Sequence, residues 1–194
     1  MNVGPGSLGI PGQSAKFSES RRRRCASSFA EGESSLSARG ETVEGRLRPT
    51  ICEAVEKAAA SLDHTGVRAL RVLLHAGVSA YWPQIKQAPY QQIRAYESTV
   101  KTIRERWEVS SECVPDPVAA TTFHRMDAEI VTFLELCADL SGTQWLEPVD
   151  AIAAYCVSML QGTMLRWLAC CDDETTLVVL DDLVSGLTSR AVEI

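Results

Sequence analysis

From residue 50 onward the apolar positions return every three or four residues, the repeat of a helix that buries one face. Ile51, Val55, Ala58 and Leu62 predict a first helix over 50–62, closed by the turn Asp63-His64-Thr65-Gly66. Val67, Leu70, Leu74, Val78 and Trp82 form the stripe of a second helix over 67–86, which Pro83 either kinks or ends. Ala88-Pro89 opens a third helix reaching about Trp107, with Ile93, Tyr96, Val100, Ile103 and Trp107 expected to face inward. Val114-Pro115-Asp116-Pro117 breaks the chain. A long helix then runs over 117–140 through Phe123, Met126, Ile130, Phe133, Leu134 and Cys137, and Ser141-Gly142 supplies a left-handed stop.

The segment 147–170 differs from the others. Val149, Ile152, Ala153, Tyr155, Cys156, Met159, Leu160, Met164, Leu165, Trp167 and Leu168 make it apolar nearly all round. A helix apolar on every face is expected to be covered on every face, which in so small a domain suggests a second subunit. Asp172-Asp173 caps a last helix over 173–190, striped by Leu177, Leu180, Leu183, Val184 and Leu187. No strand-like alternation of useful length appears, so the expected fold is an all-α antiparallel bundle of about six helices.

Residues 1–48 carry neither period. They hold seven of the twelve glycines, nine serines and no tryptophan or tyrosine. Such a composition buries too little to offset the entropy of ordering, so 1–48 is expected to be a disordered Gly/Ser/Arg-rich tail preceding a domain over 49–194. The run Arg21-Arg22-Arg23-Arg24 reads either as a solvated charge cluster or as a contact for phosphate or lipid.

Charge sharpens that division. Residues 1–50 carry eight basic and five acidic residues, a net +3, whereas the remainder carries 11 basic and 20 acidic, a net −9. An acidic body is a poor nucleic-acid surface. No apolar run approaches the roughly 18 residues of a membrane span and no export signal opens the chain, so the expectation is a cytoplasmic protein without membrane contact. The seven cysteines form no C-x-x-C pair and the histidines His64, His75 and His124 stand apart from them. No metal or cofactor is expected, and the thiols read as small packed hydrophobes. G-x-S-x-G and Walker patterns are missing from the sequence, so no catalytic residue is assigned and an enzyme is not expected.

Tyr81-Trp82, Pro89, Gln92, Tyr96 and Glu97 resemble a recurring pattern of TetR-family ligand-binding domains, in which an aromatic pair ends one helix and Q-x-x-x-Y-E lies along the next. Gln161 to Leu168, followed by Cys170-Cys171-Asp172-Asp173-Glu174, resembles that family's penultimate helix and acidic turn. The resemblance covers roughly residues 50–194 in one colinear order. It implies the effector-binding and dimerising half of a transcriptional regulator, in which a small, mainly apolar ligand controls DNA binding. A standalone ligand-binding or heterodimerising protein without DNA-binding activity is the alternative.

The resemblance places a ligand among the helices that hold His75, Trp82, Gln92, Tyr96, Phe123, Met126 and Met159, although each is also of a type that fills an ordinary core. It places a homodimer on the last two helices, through Ile152, Met159, Leu160, Trp167, Leu177, Leu180, Val184 and Leu187. The family's DNA-reading helix-turn-helix is the point of departure. His75-Ala76-Gly77-Val78-Ser79 is similar to part of it, but Tyr81 follows too closely to leave room for a recognition helix. DNA is an expected partner only if an N-terminal helix-turn-helix is present, and residues 1–48 show no helical pattern for the motif.

Overall fold

The computed structural model describes residues 43–194, with side chains from Thr50 onward. The expected tail over 1–42, with its arginine run, lies outside the described residues. Residues 43–48 do not continue that tail: they are helical, and the first helix, α1, spans Val43–Ala60. The apolar stripe that announced this helix starts only at Ile51, so periodicity could not reveal its first two turns.

Among the described residues five more helices follow: α2 (Val67–Gln87), α3 (Pro89–Val109), α4 (Pro117–Ser141), α5 (Val149–Cys170) and α6 (Asp173–Thr188). Their ends obey local chemistry. Asp116 caps α4 by accepting from the amides of Val118 (3.0 Å) and Ala119 (2.7 Å). Gly142 ends it in the left-handed conformation at φ 69°. Asp172 caps α6 through the Thr175 amide at 3.0 Å and the Thr175 hydroxyl at 2.6 Å. Pro83 sits inside α2 without ending it. The helix is also unbroken through His75 to Ser79, so that stretch contains no helix-turn-helix turn.

Helix α1 lies along α2, α4 lies along α5, and α2 also touches α3, α4 and α6. The main core is built where these cross: Val55, Leu70, Leu73, Leu74, Leu134, Cys137, Ile152, Cys156, Val184 and Leu187 are buried together. Gly77 permits a close approach of α2 to α4, because a Cβ there would collide with the Phe133 ring. A second, smaller core lies toward the other end and holds Trp82, Ile85, Met164, Trp167 and Leu180.

Two differences from the sequence reading have plain causes. A two-stranded antiparallel ribbon pairs β1 (Thr143–Trp145) with β2 (Ala191–Glu193), in the register Thr143 to Glu193, Gln144 to Val192 and Trp145 to Ala191. Three residues are too few to show a period of two. The ribbon also closes the start of α2, since the Val67 amide donates to Glu193 Oε1 at 3.3 Å. The second difference concerns α3. Ile93, Val100 and Trp107 do not face inward; they are 39%, 59% and 52% exposed, and Gln92 is the helix's buried residue. A stripe shows that a helix has an apolar side, but the neighbours available decide which edge of that side is covered.

Candidate functional site

Tyr96 is the residue that ties α3 to the bundle. Half-buried one turn after Gln92, it donates its hydroxyl to the Gln161 carbonyl of α5 at 2.5 Å. Burial pushes the phenol up to about 12, so it stays a donor throughout the neutral range. The Gln161 side chain in turn donates from Nε2 to Met126 Sδ of α4 at 3.4 Å. Tyr96 and Met126 are therefore joined through Gln161, which the candidate ligand set omitted. Its signal was its place at the head of the second matched segment.

Gln92 is 8% exposed, and its carboxamide makes no hydrogen bond among the described residues. A buried amide without a partner costs about 1–3 kcal/mol, so its retention calls for an explanation. Trp82 is also buried, and meets Trp167 edge-to-face with ring centroids 5.2 Å apart. The Trp167 indole donates to Asp173 Oδ1 at 2.8 Å, and Lys86 donates to the other carboxylate oxygen. Lys86, then the indole, hold the Asp173 carboxyl below its usual range. This junction joins the end of α2 to the turn between α5 and α6.

The remaining candidates are not brought together with these. His75 turns toward α6, with Nε2 3.2 Å from Asp181 Oδ1, and Arg71 lies 3.9 Å from the same oxygen. Phe123 is 40% exposed. Met159 lines a shallow open groove of about 200 Å³ between α5 and α6, with Gly162, Thr163, Arg166, Thr175, Thr176 and Val179. Cys137 and Cys156 are buried, and burial raises both thiols, Cys156 to about 12. Cys113, Cys170 and Cys171 are exposed, so packing as small hydrophobes describes only part of the set. Cys113 and Cys171 lie in connections between helices and Cys170 is the last residue of α5.

The residues assigned to a dimer interface divide in the same way. Ile152, Trp167, Leu180, Val184 and Leu187 are buried in this chain's own two cores. Met159 and Leu160 are half-buried, and Leu177 is 55% exposed. What α5 and α6 leave open is a different surface. Ala151, Ala154, Ser158, Gly162, Leu165 and Ala169 form one exposed line along α5, and it carries no charge. A Cβ added to Gly162 would meet nothing, and Leu177 and Val178 are the exposed apolar residues of α6.

No helix among the described residues is long and apolar enough to cross a membrane. Comparison with family models, with curated proteins and with solved structures finds no match.

Proposed function

We propose that residues 50–194 form a TetR-like effector-binding and dimerising domain, in which a small, mainly apolar ligand controls the activity of a transcriptional regulator. The observation that carries this reading is Gln92. It belongs to the motif on which the resemblance rests, it is buried, and its carboxamide lacks a partner among the described residues. A buried polar group without a protein partner is of the kind that orients a ligand in a mostly hydrophobic site. The link from Tyr96 through Gln161 to Met126 supports the same location, because it connects three of the helices that would surround the ligand.

The homodimer belongs to the same proposal, with its surface moved outward on α5. Small uncharged residues from Ala151 to Ala169 allow a second helix to approach closely, and Leu165 and Leu177 provide apolar area beside them. One observation favours the alternative of a ligand-binding or heterodimerising protein without DNA activity: residues 51–194 carry a net charge of −9.

Two measurements test the proposal. Gln92→Leu should leave the free protein as stable or raise its stability by about 1 kcal/mol, because an unpaired amide is removed. The same variant should lose the thermal stabilisation that members of a panel of apolar small molecules give the native chain. A panel that stabilises neither protein, or both equally, would remove the ligand reading. A gel-shift of the full chain on the intergenic DNA upstream of its gene separates the two readings, since specific retardation favours the regulator and none favours the alternative.

A further inference from the structure

Helix α3 is the least buried of the six, and its exposed apolar residues are regularly placed. Ile93, Val100 and Trp107 recur at intervals of seven, so they form one line along nearly the whole helix. They are 39%, 59% and 52% exposed, while Gln92 and Tyr96 on the adjoining edge face the bundle. Arg94, Glu97, Lys101, Arg104 and Glu108 are exposed beside this line.

We propose that α3 is a self-recognition helix, which pairs antiparallel with α3 of a second copy of this chain about a two-fold axis at Val100. This goes beyond the α5 contact and does not depend on it. The apolar residues are placed symmetrically about Val100. In an antiparallel pair centred there, a residue n positions before Val100 lies opposite the one n positions after it. Val100 then meets itself, and Ile93 meets Trp107, so the apolar line is continuous across the junction. The flanking charges obey the same axis to within a residue or two. Glu97 falls beside Arg104, an opposite pair made twice by the two-fold, and Arg94 falls midway between Glu108 and Arg104.

The charges near the axis are compatible with this pairing. Lys101, which comes closest to its own copy, already has Glu105 as a partner at 3.8 Å. Arg104 lies 3.6 Å from Glu108 on its own helix, and both side chains are 66% exposed. A pair so exposed holds its partners weakly, so each can be shared across the junction. An unrelated protein partner would have no reason to match a pattern that is complementary to itself. A single helix pair covers less than a standard interface, so the association is expected to be weak and concentration-dependent.

The test is sedimentation velocity of the full chain over a concentration series, in a Ser158→Arg background that removes the proposed α5 contact. The background chain should still self-associate. Arg104→Glu should weaken that association roughly tenfold, because it places like charges together at two symmetric positions. Adding Glu97→Arg to Arg104→Glu should restore it to within about threefold, since the pairs are re-formed with reversed sign. All the altered side chains are exposed, and circular dichroism confirms that each variant is folded. Failure of the background chain to associate, or equal association by the single and double variants, would overturn the proposal. Covering of this face by anything other than a second copy would also leave the charge swap without effect. As a second measurement, oxidised Val100→Cys should form a linked dimer beyond the level of the native chain, and Ile93→Cys should not. Equal cross-linking at the two positions would count against the axis. Retained association of the α5 contact despite Ser158→Arg would instead be a failure of the α5 reading.

Discussion

At the scale of single residues, burial divides amino acids that look alike in the sequence. Cys137 and Cys156 lie in the main core while Cys113, Cys170 and Cys171 are exposed. Iodoacetamide on the native protein should therefore label the latter three, and Cys137 and Cys156 only after denaturation, as mapped by peptide mass spectrometry. Gly77 is the reverse case, a residue chosen for what it lacks. Gly77→Ala improves intrinsic helix propensity by about 1 kcal/mol. It also drives a methyl into the Phe133 ring, where overpacking typically costs about 1–3 kcal/mol. The collision should prevail because the methyl overlaps two carbons of the ring, which only a movement of the whole ring relieves. A urea titration should show a net loss of stability, and a gain would mean that Phe133 moves aside freely.

At the scale of elements, the junctions hold most of what periodicity cannot announce. The Asp173 carboxylate receives Lys86 from the end of α2 and the Trp167 indole from α5. Its proton affinity is lower in the folded chain than in the unfolded one, because both partners favour the charged form. The sign follows: this contribution to stability is present above the ordinary aspartate range and is lost as pH falls through the depressed folded value. Acid unfolding followed by tryptophan fluorescence should show that loss in the native chain. Asp173→Asn should start less stable near neutrality and flatten that part of the acid profile. An identical acid profile in the variant would show that the junction does not respond to this carboxylate. The ribbon of β1 and β2 is a junction of the same kind, closing the start of α2 through Glu193.

At the scale of the whole molecule, the question is which apolar surface the fold itself consumes. Helix α5 is apolar nearly all round, but its inner stripe of Ile152, Cys156 and Trp167 is filled by this chain's own helices. A charge at Leu180 would therefore disrupt the core and say little about assembly. Ser158→Arg is the informative change. Its side chain is exposed on the outer line of α5, so the variant should keep its helix content and melting temperature. In sedimentation at low protein concentration it should shift from dimer to monomer, and an unchanged dimer would place the contact elsewhere.

The order of the helices, the break from Val114 to Pro117, the stop at Gly142, the cap at Asp172 and the all-α class were legible because each is written within a few neighbouring residues. Apolar spacing reports a buried face and caps report ends, and both are local physics. The Tyr96 and Trp82 positions could be singled out by their pattern, yet their partners could not. Gln161 lies 65 residues from Tyr96, and Asp173 lies 87 residues from Lys86. The ribbon was hidden for a related reason, since each three-residue strand gains its meaning only from a partner nearly fifty residues away. The rotation of α3, which leaves Ile93, Val100 and Trp107 outside, and the choice of which side of α5 stays open were decided by tertiary packing alone. An amphipathic or all-apolar helix offers surface, and only the neighbours that arrive determine how much of it is covered.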